Sequence, residues 1–170
     1  HPNCAPFICH QLIQRLVTDN PSPAYIYRVA QVFLREKSSP TQLGAVVRAI
    51  LTDYDARSPV VAASPGYGKL REPLLRFTAL LRSFNASSSS GRNRLETSPY
   101  ANLSQGPLES PSVFNFYEPG YVYPGPLAAA GLVAPEFQIT DDTTAISLPN
   151  YLRTRIFTTA TGTAAATNQV

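Results

Sequence analysis

The sequence predicts an all-α protein: a helical bundle carrying a long, irregular segment rich in Pro and aromatic residues. Three observations lead there. Three stretches in the first 51 residues repeat apolar residues at helical spacing, each opened by a Pro or a capping residue. No stretch shows the clean apolar–polar alternation of a half-buried strand. Between 97 and 126 the text turns to Pro, Gly and aromatic residues, which is turn chemistry.

The elements follow in order. Asn3 is placed to cap a first helix, with Pro6 tolerated in its first turn because the missing N–H has no intrahelical partner there. Ala5, Ile8, Cys9, Leu12, Ile13 and Leu16 then form one apolar face. Asn20-Pro21-Ser22-Pro23 ends that helix and opens the next, with Ser22 as cap and Pro23 at the first helical position. Its face is Ile26, Val29, Ala30, Phe33 and Leu34. Ser39-Pro40 repeats the start signal for a third helix with the face Leu43, Val46, Val47, Ile50 and Leu51. Residues 58–68 read as a loop. A fourth helix has Pro73 in its first turn and the face Leu70, Leu74, Phe77, Leu81 and Phe84. Asn85 to Gly91 is a Ser tract that reads as a mobile loop. Pro135 opens a last helix near Glu136 that runs toward Phe157 with a break expected at Pro149. The organisation expected is a helical core over 1–84, a Ser-rich loop and aromatic strap over 85–134, a C-terminal helix over 135–157 on the same domain, and a flexible tail over 158–170.

Composition removes several function classes. Of 170 residues, 44% are hydrophobic and 15% charged, enough apolar material for a core. No apolar run is long enough to cross a bilayer. The net charge is +3, and the basic residues, twelve Arg against two Lys, are spread along the chain rather than gathered in a stripe with aromatics. A nucleic-acid partner is therefore not expected. The chain begins at His1 and contains no Met, so the expectation is a processed protein or part of a longer one.

Several long segments resemble one family. HPNCAPFICHQLIQRLVTDNPSPAYIYRVAQVF, AVVRAILTDYDARS, GKLREPLLRFTALLRSF, SPSVFNFYEPGY and GLVAPEFQIT are similar, in this order, to the C-terminal part of the bacterial domain-of-unknown-function 1800 family. The resemblance implies a mostly helical protein of several hundred residues, exported to the periplasm, the cell surface or the medium, of which this chain would be about the last third. It implies no established activity. Family members often carry a small residue such as Thr at position 4 and Arg at position 10, where this chain has Cys4 and His10.

That departure matters because both cysteines and both histidines lie within ten residues: His1, Cys4, Cys9 and His10. Four readings stay open. Cys4-Ala-Pro-Phe-Ile-Cys9-His10 is a lengthened version of the Cys-x-x-Cys-His attachment signature of haem c. In that reading Cys4 and Cys9 form the thioethers, His10 is an axial ligand to the haem iron, and His1 is the second. A zinc or copper site would use two thiolates and two imidazoles, but Cys9 and His10 point about 100° apart on a helix. A Cys4–Cys9 disulfide requires Cys4 to precede the helix, because positions five apart on a regular helix do not bridge. In the fourth reading Cys9 is a small core residue, Cys4 sits in the first turn, the histidines are ordinary polar groups and no cofactor is bound.

Other motifs fail. Gly66-Tyr67-Gly68-Lys69 lacks phosphate-loop spacing, and neither a Gly-x-Ser-x-Gly elbow nor His-Glu-x-x-His is present. Asp53 with Asp55, and Asp141 with Asp142, read as helix-end carboxylates. Lys69, Arg71 and Glu72 read as an ion-pair network holding the loop to the fourth helix. No catalytic set emerges. The expectation is a structural or interaction subunit that packs on other protein subunits of a cell-envelope or extracellular assembly. The rivals are a haem-bearing electron-transfer subunit and part of a hydrolase whose catalytic residues lie upstream of His1.

Overall fold

The computed structural model describes residues 1–87 and 102–157. The protein is all-α, with no strand among the described residues. Among the same residues no helix is long and apolar enough to cross a membrane. The chain forms two interleaved compact units, one of His1–Leu70 with Pro119–Pro135, the other of Arg71–Glu118 with Glu136–Val170. The Ser tract from 88 onward and the tail after 157 lie outside the described residues.

In the first unit α1 (Cys4–Leu16), α2 (Pro23–Arg35) and α3 (Gln42–Thr52) pack pairwise. Their shared core is Ala5, Cys9 and Ile13 from α1, Tyr25, Val29 and Ala30 from α2, and Val46 and Ile50 from α3. The four-residue spacing puts each helix's contribution on one stripe. Ser22 caps α2 as its sequence position implies, its Oγ accepting the Tyr25 N–H at 3.0 Å. Tyr25 is fully buried, and its hydroxyl donates to the Ile50 carbonyl at 2.6 Å, satisfying a carbonyl in the last turn of α3.

The expected start of α3 at Ser39-Pro40 is corrected: the helix begins at Gln42, with Thr41 in the cap position. Ser39 Oγ accepts the Thr41 N–H, and Gln42 Nε2 donates to the Phe33 carbonyl, so the Ser-Pro pair is spent on the turn out of α2. At the far end Asp53 caps a short helix α4 (Tyr54–Arg57), and Ser58 caps α5 (Pro59–Ala62) inside the stretch read as loop. Asp53 also takes a two-pronged ion pair from Arg28 at 2.6 and 2.8 Å. This pair holds the Asp53 carboxyl below its ordinary range.

The short connection Val17–Asn20 carries the unit's densest polar contacts. Thr18 Oγ1 accepts the Gly68 N–H and donates to the Gly68 carbonyl, and the Asp19 N–H donates to that same carbonyl. Gly68 makes this possible with φ of 116°, a conformation that costs a side-chain-bearing residue dearly. Lys69 Nζ donates to the carbonyls of Gln14 and Arg15, closing the C-terminal end of α1. Asn20 grips the backbone of Val133 from both sides: its Nδ2 donates to the carbonyl at 2.9 Å and its Oδ1 accepts the N–H at 3.0 Å. Val133 follows α7 (Pro126–Ala129), and Ala134 in turn donates to the Tyr121 carbonyl.

The second unit is built on α6 (Pro73–Ser83), the 3₁₀ turn Pro135–Ile139 at its border, and α8 (Asp142–Phe157). Phe77, Leu103 and Leu148 form its core with Leu74, Leu81, Tyr151 and Leu152 around them. Phe77 meets Tyr151 edge to face at 5.5 Å. Phe84, expected on the apolar face of α6, is exposed beyond the helix end. Two expectations for the last helix are corrected. It starts at Asp142, after the 3₁₀ turn, with Asp141 Oδ1 accepting the Thr144 N–H at 2.8 Å. It also continues through Pro149, because Leu148, Tyr151 and Leu152 anchor both flanks of the proline in one core and outweigh the lost backbone bond.

Lys69 and Glu72, expected in a network with Arg71, also reach partners elsewhere. Lys69 serves α1, while Glu72 accepts hydrogen bonds from Gln105 Nε2 and from the Tyr117 hydroxyl. Tyr117 is buried with its hydroxyl 3.5 Å from a carboxylate oxygen of buried Glu136, and Gln105 Oε1 accepts the Leu74 N–H at the start of α6. A Tyr and a Gln thus pin the irregular segment to α6 through polar contacts.

The Asn20–Val133 clamp gives the first testable consequence. Asn20→Ala removes both bonds and leaves a partly buried N–H and carbonyl to find water, so a loss of about 1–3 kcal/mol is expected in urea unfolding. A loss below the error of that measurement would show that the clamp does not hold the unit.

Candidate functional site

The cysteines and histidines that adjoin in sequence are separated by the turn of α1. Ala5, Cys9 and Ile13 face inward, and Cys9 is fully buried among them. Burial and the neighbouring Cys4 push its thiol up to about 11. Cys4 opens the helix and is exposed, and both thiols are free. Cys9 would reach a haem vinyl group only if α1 left its core. His1 is exposed, and its Nδ1 accepts the Asn3 N–H at 3.2 Å. That contact stands where an Asn3 side-chain cap was expected, and Asn3 makes none. His10, one residue past Cys9 and rotated about 100°, lies on a different side of α1.

That side borders a cavity of about 390 Å³ within the first unit. His10, Gln11 and Gln14 of α1 line it, with His10 and Gln14 one turn apart on the same side of the helix. The α1–α2 connection supplies Asp19, Asn20 and Pro21, and the returning segment supplies Pro119, Gly120 and Val133. The cavity exists where it does because the polar contacts of Thr18 and Asn20 bring these three pieces of chain together.

Two of the wall groups have a defined state. Burial keeps the His10 imidazole below its ordinary 6.5, favouring the neutral ring. Gln14 is 5% exposed, and its Nε2 donates to the carbonyls of Asp19 at 2.9 Å and Pro119 at 3.4 Å. Those two acceptors fix which way the amide points, and its Oε1 is buried with no hydrogen-bond partner among the described residues. No Ser or Cys nucleophile lines the cavity, and no group of three or more potential metal ligands occurs among the described residues. Of the cavity's residues, only His10 stood out in the sequence. Gln14 was hidden as one polar residue beside an apolar stripe, and Asn20-Pro21 as part of a helix stop.

Two measurements check this geometry. A thiol reagent added to the native chain should titrate one equivalent quickly, Cys4, and the second only with unfolding, because a buried thiol raised to about 11 holds little thiolate at neutral pH. Two fast equivalents would place Cys9 outside the core. For His10, the unfolded chain takes up a proton near 6.5 and the folded chain resists until lower pH. The stabilising preference is complete above 6.5 and is lost as the pH falls through that value toward the folded one. Stability measured across this window should decline with acidification, and His10→Gln should flatten the decline.

No curated protein and no solved structure matches the chain. A family model described as "Protein of unknown function (DUF1800)" matches residues 1–170, the whole chain. The order of helices, the strap and the segments noted in the sequence all fall within that match, and the chain belongs to the DUF1800 family.

Proposed function

We propose that this chain is a structural or interaction subunit of an exported bacterial assembly, in the cell envelope or outside the cell, and that α3 is its partner-facing element. The observation that supports this reading is the split of the α3 apolar face. Val46 and Ile50 are spent on the core, while Leu43 and Leu51 stand 59% and 48% exposed with half-buried Val47 between them. Positions 43, 47 and 51 repeat every four residues, so they make one continuous apolar seam on the outer side of the helix. Tyr54 extends it into α4 with its ring exposed. Beside the seam Gly44 has open space where a Cβ would stand, so a partner helix could approach the backbone there. Seams of this kind are how amphipathic partners dock, and covering each leucine contributes about 1.5–3 kcal/mol at most.

The test keeps the fold and removes the seam. Leu43→Lys with Leu51→Lys changes exposed positions only, so circular dichroism should be unaltered. In the source bacterium, fractionation should place the wild-type protein outside the cytoplasm and in a complex larger than itself, and the double variant should leave that complex. Wild-type protein that migrates at its own mass, or a variant that stays in the complex, would overturn the reading.

A further inference from the structure

We infer that the partner taken up by the α3 seam is an amphipathic helix with carboxylates along one flank of its apolar stripe. The inference rests on the reading of that seam as a docking face and adds the chemistry of its occupant.

The first argument is charge. Arg48 borders the seam on α3, three residues before Leu51 and four after Gly44, and residues at these spacings adjoin on a helix surface. Arg57 stands in the same relation to Tyr54 on α4, three residues on. Both arginines are exposed, and neither makes a salt bridge among the described residues. The acidic residues within 42–62 are Asp53 and Asp55. Both are already held by Arg28, with side chains only 10% and 14% exposed. The border of the seam is therefore positive, with no carboxylate of its own to answer it. A guanidinium stays charged and offers a planar fork of donors that fits a carboxylate.

The second argument is the surface between the charges. Gly44 lies next to Leu43, and a Cβ built on it meets nothing within 4 Å. Bare backbone at the edge of an apolar stripe lets another helix come close, because the side chains at the contact set the distance between helix axes. A bilayer gains nothing from it, since a membrane surface takes up apolar side chains and glycine has none.

These features separate the occupants. A two-fold contact with a second copy, centred on Val47, sets both Arg48 residues one position from the axis, where like charges oppose each other. An uncharged amphipathic helix fills the seam and leaves both guanidinium groups unanswered. A helix with Glu or Asp beside its stripe fills the seam and meets them.

The experiment is fluorescence anisotropy of the full chain with synthetic amphipathic peptides of about 18 residues, long enough to hold a helix. They share a leucine stripe at i, i+3, i+4 and i+7 and carry Glu, Gln or Lys on its flank. Saturable binding of the Glu peptide is expected, falling with added salt, with the Lys peptide weaker by about tenfold or more. Arg48→Glu with Arg57→Glu changes exposed positions only and should invert the order of the Glu and Lys peptides. Arg48→Gln with Arg57→Gln, the milder pair, should erase it. Equal binding of all three peptides, lost in Leu43→Ser with Leu51→Ser, would overturn the acidic partner and leave the seam in place. Binding of the Glu peptide that survives the leucine pair would overturn the seam as well. Retention on phosphatidylglycerol vesicles that the leucine pair abolishes would assign the seam to a membrane, and a seam-dependent dimer in sedimentation would assign it to a second copy. Either result overturns the inference, as does the absence of saturable binding.

Discussion

The first unit depends on the Thr18 hydroxyl, the Asp19 N–H and the Asn20 amide finding partners far along the chain. A connection between two helices normally runs on the surface, where water meets its N–H and C=O groups. This one runs through the interior, with Thr18 fully buried and Asp19 nearly so. The backbone of Gly68 meets Thr18 and Asp19, and the backbone of Val133 meets Asn20. Each partner comes from a segment far along the chain, one about 50 residues away and the other 113. Three short polar residues thus perform the long-range stapling that apolar contacts perform elsewhere.

The constraint reaches the helices on either side. Because Lys69 follows Gly68, fixing the glycine to Thr18 brings the ammonium over the last carbonyls of α1. Because Ser22 follows Asn20 by two residues, the same clamp sets where α2 can start, and Ser22 donates onward to Asp55 at 2.6 Å. Asp55 and Asp53 then hold Arg28 on α2. The Arg28 pairs are partly exposed, so each is worth at most about 1 kcal/mol. Their role is register: they fix the corner between α2 and α3 once the buried groups have fixed the rest.

What could be read in the sequence was what local rules govern. The faces of α1 and α2, the Ser22-Pro23 start and the Pro73 start obey spacing and capping rules that act over a few residues. Errors arose where a distant contact outweighed a local preference. Pro149 signals a break, yet the core on both sides of it holds α8 intact. Ser39-Pro40 signals a start, yet Gln42 reaching Phe33 moves it. Glu72 takes Gln105 and Tyr117 as partners from 33 and 45 residues away, which no local rule reveals. The candidate site was the least legible part. His10 drew notice through its neighbours in sequence, whereas the residues it lines the cavity with were invisible until Asn20 found Val133.

Polar contacts shape the walls of the cavity. Both ends of the Asn20 amide are used, both valences of the Thr18 hydroxyl are used, and Gln14 donates twice. An apolar residue in place of Gln14 would remove the orphan oxygen, but it would also release the carbonyls of Asp19 and Pro119. The glutamine thus holds the α1–α2 connection with its nitrogen. The nitrogen's role is structural and accounts for an amide at this position. The Gln14 oxygen is buried with no hydrogen-bond partner among the described residues, which an amide accepts here because its nitrogen is needed.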